Sequence, residues 1–112
     1  MNDCIFCKIA AGEIPSTKLY EDELCVAFND ANPMAPVHFL VIPKEHFASA
    51  AEVTAENAAL IGHIYEVIAK LASELGIAEG FRVVTNVGAL AGQTVRHIHF
   101  HVLSGKQLGS FD

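Results

Sequence analysis

His97-Ile98-His99-Phe100-His101-Val102 alternates an imidazole with an apolar side chain over six residues. Read as a β-strand, it sends three imidazoles to one face and three apolar side chains to the other, with same-face neighbours about 6.6 Å apart along the chain. Ile98, Phe100 and Val102 anchor such a strand on a core. The histidines need another reason. Burying three imidazoles for packing alone demands three sets of hydrogen-bond partners, and leaving them in water gives the alternation no purpose. The pattern points to a metal-binding or catalytic site.

Two chemistries fit that site. In one, the imidazoles are ligands of a catalytic metal, a role that three histidines often fill for zinc. In the other, one neutral imidazole attacks phosphorus while its neighbours bind the phosphoryl oxygens; this requires one ring nitrogen to be held as N–H so that the other offers its lone pair. The loop Val87-Gly88-Ala89-Leu90-Ala91-Gly92-Gln93-Thr94 suits the second. Gly92 allows backbone to approach an oxyanion, and Gln93 and Thr94 add side-chain donors. A polar turn into a strand would carry the same residues. Near the N-terminus, Cys4-x-x-Cys7 has the spacing of a zinc half-site, which needs two further ligands. His46 and one of the strand histidines are available. A redox pair would instead follow a strand, and none is predicted before Cys4.

The rest of the chain sets limits. A length of 112 residues predicts a single domain, 1–112. Apolar residues make up 52% and charged residues 18%, a surplus of apolar surface that suggests an oligomer. Thirteen acids against seven bases disfavour long nucleic acid as a ligand but not a single nucleotide. Met1-Asn2-Asp3-Cys4-Ile5-Phe6-Cys7 lacks the pattern of a signal peptide, and no run is apolar for membrane-span length; a cytoplasmic protein is expected. An odd count of three cysteines argues against a disulfide framework, and Cys25 reads as core.

Local patterns predict a short helix over 4–11 ended by Gly12, and a hairpin of strands 17–20 and 24–29 around Glu21-Asp22-Glu23. A loop bracketed by Pro33 and Pro36 comes next, then a buried strand over 37–42 stopped by Pro43. Thr54 is a plausible N-cap for one long helix, with Leu60, Ile61, Ile64, Val67, Ile68, Leu71 and Leu75 at helical spacing up to Gly76. His63 falls on its polar side, as a solvated residue without a role. A strand over 81–86 and the histidine strand complete an α+β fold: an antiparallel sheet of about five strands with one main helix and a short N-terminal helix.

These motifs also occur in one order: Cys4-Ile5-Phe6-Cys7-Lys8-Ile9, Gly12-Glu13-Ile14-Pro15, Asn32-Pro33-x-Ala35-Pro36-x-His38-x-Leu40-x-Ile42-Pro43-Lys44-x-His46, and Gly92-Gln93-Thr94-Val95 ahead of His-x-His-x-His. In this the chain resembles the histidine-triad (HIT) family, in its Hint-like nucleotide-binding branch, over almost its whole length. The resemblance implies a homodimer with one continuous sheet and a purine nucleoside monophosphate, or a conjugate of it, bound in each subunit. It implies hydrolysis of nucleoside phosphoramidates or related nucleotide conjugates, with His99 as the nucleophile that becomes nucleotidylated, oriented by the backbone carbonyl of His97. His101 and His38 would bind phosphate oxygens and assist proton movement. Gln93, Thr94 and Val95 would contact the phosphate and the leaving group, Asn86 the phosphate region, and Asp30 the ribose hydroxyls, which a carboxylate accepts in bidentate fashion. Ile5, Phe6, Ile9, Phe28 and Leu40 would wall the base; each also has a core reading. Members with the double cysteine imply a structural zinc on Cys4, Cys7, His46 and His97. The chain has no Trp, so the tryptophan that some relatives send into the partner's active site has no counterpart. Alternatives from other classes are the metallohydrolase and a non-catalytic nucleotide-binding module.

Overall fold

Residues 4–110 are described by a computed structural model. Residues 1–3 of the N-terminal stretch read above lie outside it. Its centre is β3 (Val37–Pro43), whose apolar run, buried from His38 onward, is flanked on both sides by antiparallel partners. On one side lie β2 (Cys25–Asn29) and then β1 (Lys18–Glu21); on the other lie β5 (Phe100–Ser104) and then β4 (Arg82–Val84). The sheet order is β1-β2-β3-β5-β4. α1 (Ile5–Ala10) and α2 (Ala58–Glu74) complete the predicted α+β arrangement.

The period of two along the strands divides the core into two layers. Cys25, Ala27, Phe39, Val41, Ile98, Phe100 and Val102 meet Ile64, Val67, Ile68 and Leu71 of α2 on one face. Val26, Phe28, Leu40 and Ile42 meet Phe6 and Ile9 of α1 on the other. Each buried Ile, Leu or Phe contributes about 1.5–3 kcal/mol of transfer free energy. The first layer supplies the main core, and the second is the platform on which the histidines sit. Cys25 is fully buried, as expected; burial, then the nearby Asp22 carboxylate, pushes its thiol up to about 12 and keeps it inert.

Four expectations change. The histidine strand enters the ladder only at Phe100, because Pro43 at the end of β3 has no N–H to offer and the Ile98 N–H goes to the Phe47 carbonyl at 2.8 Å. His97 to His99 therefore precede the strand, although Ile98 still turns to the α2 side. The fourth strand covers only 82–84, so Asn86 lies in the loop beyond it. α2 is preceded by Asn57 rather than Thr54: the Thr54 hydroxyl accepts from Glu56 N–H, and the Asn57 side chain accepts from Thr54 N–H, which builds a turn ahead of the helix. Gly76, at φ +75°, ends α2 as predicted.

The fourth change concerns His63, which is half-buried rather than solvated. Its Nε2 lies 2.6 Å from Asp22 Oδ2. The same carboxylate accepts from Tyr20 O–H and from the N–H groups of Leu24 and Cys25. Burial pushes Asp22 up, but these hydrogen bonds outweigh it and hold the carboxyl below its usual range. The knot ties the β1–β2 turn to α2.

Candidate active site and metal centre

The histidine segment leaves the main core with each ring tied by one nitrogen. His99 Nδ1–H donates to its neighbour's carbonyl, His97 O, at 2.7 Å. That fixes the neutral tautomer and leaves the lone pair on Nε2. His97 has the opposite arrangement: Nε2–H donates to the Pro43 carbonyl at 2.8 Å, so Nδ1 carries the lone pair. His97 is fully buried, and burial pushes its pKa down against the opposing pull of the Pro43 carbonyl. The Phe6 ring stands edge-on to His99, with centroids 4.9 Å apart, and also edge-on to Phe28 at 5.8 Å. It is a wedge that holds the His99 ring upright.

Strand register brings in the other two imidazoles. Leu40 faces His101 and His38 faces Leu103 across the β3–β5 ladder, so His38 and His101 are diagonal neighbours on one face. The Met34 N–H donates to His38 Nδ1 at 3.0 Å, which leaves the proton on His38 Nε2. That Nε2–H lies 3.0 Å from His101 Nδ1 and 3.4 Å from Asp30 Oδ2. With His101 Nδ1 accepting, the His101 proton sits on Nε2. Burial, followed by His99 and His38, pushes His101 down to about 4. It is a neutral donor at pH 7. Asp30 follows β2 and receives its place from the bond between its N–H and the His38 carbonyl, while its side chain accepts from Asn32 N–H.

His99 and His101 open onto a cleft of about 850 Å³, within the range that holds a small-molecule ligand. Asp30, Asn86, Thr94 and Val95 line it, as do Ile5, Phe6, Ile9, Phe28 and Leu40. The lining thus combines apolar and aromatic side chains, the two imidazoles and the Asp30 carboxylate. Gly92 lines the cleft at φ +96°, a backbone conformation that a side chain would strain.

Gln93 has a different part from the donor expected of it. Its amide is buried, with Nε2 donating to Ala48 O at 2.6 Å and Val95 O at 2.9 Å, and Oε1 accepting from Gly88 N–H. It shapes the loop that presents Thr94 and Val95. Sequence reasoning missed Met34, whose backbone sets the His38 tautomer, and Ser16, whose buried hydroxyl on the cleft wall has no partner among the described residues. Neither position carries a periodic or motif signal of its own.

A second cluster adjoins the cleft. His97 Nδ1 lies 3.2 Å from Cys4 Sγ, 3.4 Å from Cys7 Sγ and 3.1 Å from His46 Nδ1, and Cys7 Sγ is 3.2 Å from His46 Nδ1. A tetrahedral ion with zinc-like bond lengths separates two nitrogens by about 3.4 Å and a sulfur from a nitrogen by about 3.6 Å. The cluster matches to within a few tenths of an ångström. Two thiols and two imidazoles around one point make a donor set that can bind a metal ion. His97, His99 and His101 do not form such a group among the described residues. The tied nitrogens explain why: His97 offers Nδ1 toward the thiols, and His99 commits its own Nδ1 to a carbonyl.

An antiparallel sheet carrying a tautomer-fixed histidine run over a ligand-sized cleft defines an α+β protein of the histidine-triad class. A family model for the HIT domain matches residues 11–108, and the chain belongs to this family. An uncharacterized HIT-like protein of Synechococcus elongatus is 50% identical over 106 residues, 95% of this chain and 93% of that protein. The crystal structure of a HIT family hydrolase from Legionella pneumophila superposes with a TM-score of 0.94 at 45% identity, covering 96% of each chain. A histidine triad nucleotide-binding protein from Candida albicans superposes with a TM-score of 0.82 at 35% identity, covering 98% of this chain and 87% of that one.

Proposed function

We propose that this chain, acting as a single HIT domain over 1–112, is a purine nucleoside phosphoramidase or nucleotide hydrolase working through a covalent nucleotidyl-histidine. The observation that carries the reading is the His99 Nδ1–H bond to the His97 carbonyl, which leaves Nε2 unprotonated on the wall of the cleft. Nε2 attacks the α-phosphorus, and the bond from phosphorus to the leaving nitrogen or oxygen breaks. A leaving amine takes its proton from solvent, while the neutral His101 Nε2–H donates a hydrogen bond to a phosphoryl oxygen and His38 holds His101 in that tautomer. Water then breaks the P–Nε2 bond, freeing a nucleoside monophosphate and restoring His99. Asp30 accepts from the ribose hydroxyls, and Phe6, Ile9, Phe28 and Leu40 enclose the base. The names of the Legionella and Candida neighbours, hydrolase and nucleotide-binding protein, support the same direction.

Zinc is the proposed occupant of the Cys4, Cys7, His46 and His97 cluster, in a structural role, since all four positions are filled by protein. The same reading includes a homodimer joined through β4, which lies at an edge of the sheet beside the exposed Phe81, and a cytoplasmic location. No described helix is long and apolar enough to cross a membrane.

The direct test is turnover of adenosine phosphoramidates by wild type and His99→Asn, alongside nucleotide binding. Loss of turnover with binding retained is expected; equal rates would remove His99 from the nucleophile role. Metal analysis of Cys4→Ala against wild type tests the zinc ligands, with equal content counting against them. Sedimentation tests the dimer.

A further inference from the structure

Beside the cleft lies a second hollow of about 380 Å³, lined by Cys4, Ile5, Thr94, Val95 and Arg96. Ile5, Thr94 and Val95 line both spaces, so the two share a wall. Arg96 is the one Lys or Arg among the described residues of either lining, and it is exposed. It has no hydrogen bond or ion pair among the described residues. The Asp30 carboxylate lines the large cleft, and Arg96 lines the hollow across the Thr94–Val95 wall. A chain of net charge −6 repels an anionic substrate, so a local cation beside the reaction centre changes the balance.

We infer that Arg96 and this hollow form a leaving-group subsite that favours conjugates whose departing half carries a negative charge. The inference rests on the nucleotide-hydrolase reading and refines its substrate class. The shared chemistry is an anion, a carboxylate or a phosphate, which a guanidinium binds in a two-pronged fork. The base and ribose occupy the large cleft, the α-phosphorus meets His99, and the departing group crosses the Thr94–Val95 wall toward Arg96.

The test compares adenosine monophosphate joined through a P–N bond to glycine, with its free carboxylate, and to ethylamine, with no charge. Diadenosine triphosphate supplies the phosphate arm. For each anionic substrate the ratio of kcat/KM to that of the ethylamine conjugate is expected to fall about fivefold in Arg96→Ala, the upper end for a solvent-exposed ion pair. It should fall further in Arg96→Glu, and added salt should erode the wild-type ratio. A fall for glycine alone identifies a carboxylate, for the diadenosine compound alone a phosphate, and for both a general anion site; each supports the subsite. Ratios unchanged in both variants would overturn it. The same ratios are read as Kd on a His99→Asn background. If wild type hydrolyses none of the three, the catalytic reading fails and the Kd ratios still decide Arg96. If none binds, both fall.

Discussion

His97 and His99 are two residues apart and obey one rule with opposite results. Each gives one ring N–H to a backbone carbonyl. In His97 the tied nitrogen is Nε2, so Nδ1 faces two thiols and a second imidazole. In His99 it is Nδ1, so Nε2 is left for the cleft. A carbonyl partner thus decides which ring nitrogen is left free, and this underlies the ligand role proposed for His97 and the nucleophile role proposed for His99. The two sites are also joined, because the carbonyl that orients His99 belongs to the residue on the thiol cluster.

The sharpest way to separate the two is His99→Asn, which should cut kcat at least a thousandfold, about 4 kcal/mol of barrier, while Kd for a nucleoside monophosphate changes only a few-fold. Cys7→Ala should act on the other site, with loss of bound metal and a destabilisation of about 2 kcal/mol, a fall in Tm of roughly 10 °C in calorimetry. Turnover should persist below that lowered transition. Loss of turnover while the variant stays folded would break the division, and unchanged metal content would remove Cys7 from the cluster.

The next effect depends on pH. His101 is held at about 4 in the folded protein, against roughly 6.5 in an unfolded chain. Between these values the unfolded chain binds the proton and the folded chain does not, so stability falls as pH drops from about 6.5 to about 4 and this contribution levels off below. The ceiling is roughly 3 kcal/mol from a shift of that size. A side chain one-quarter exposed brings the expectation to about 1–2 kcal/mol. His101→Gln should flatten denaturation midpoints across that window; an unchanged slope would contradict the assignment.

Gln93→Ala should cost about 1 kcal/mol, because two half-buried carbonyls and a half-buried N–H lose their partner. It should also lower turnover by loosening the loop that carries Thr94 and Val95. Lowered turnover without any loss of stability would instead make Gln93 a direct phosphate donor. The smallest effect is expected from His63→Ala, outside both sites, at about 0.5–1 kcal/mol with kinetics unchanged.

What could be read from the residues follows the range of each interaction. The alternation from His97 to Val102 survives outside the ladder because backbone pleating needs no partner strand, so the two faces were legible even where the strand was not. Where the ladder begins was not, since it depends on Pro43 lacking a donor and on Phe47 capturing the Ile98 N–H. Cys4-x-x-Cys7 announced half of a group able to bind a metal through local spacing, and the other half depended on the fold bringing His46 and His97 from distant segments. Gln93 and His63 were misread for a related reason: each side chain is committed to a partner more than forty residues away, Ala48 and Asp22 respectively.

The covalent step proposed at position 99 is tested by quenching the wild-type protein in alkaline denaturant, where a P–N bond to imidazole survives, within milliseconds of mixing with an adenosine phosphoramidate and mapping the modified peptide by mass spectrometry without acid. An adenylyl group on His99 is expected, absent from His99→Asn. Its appearance on His97 or His101 instead, or rapid turnover with no protein-bound nucleotide at any time, would contradict a mechanism built on the free nitrogen of His99.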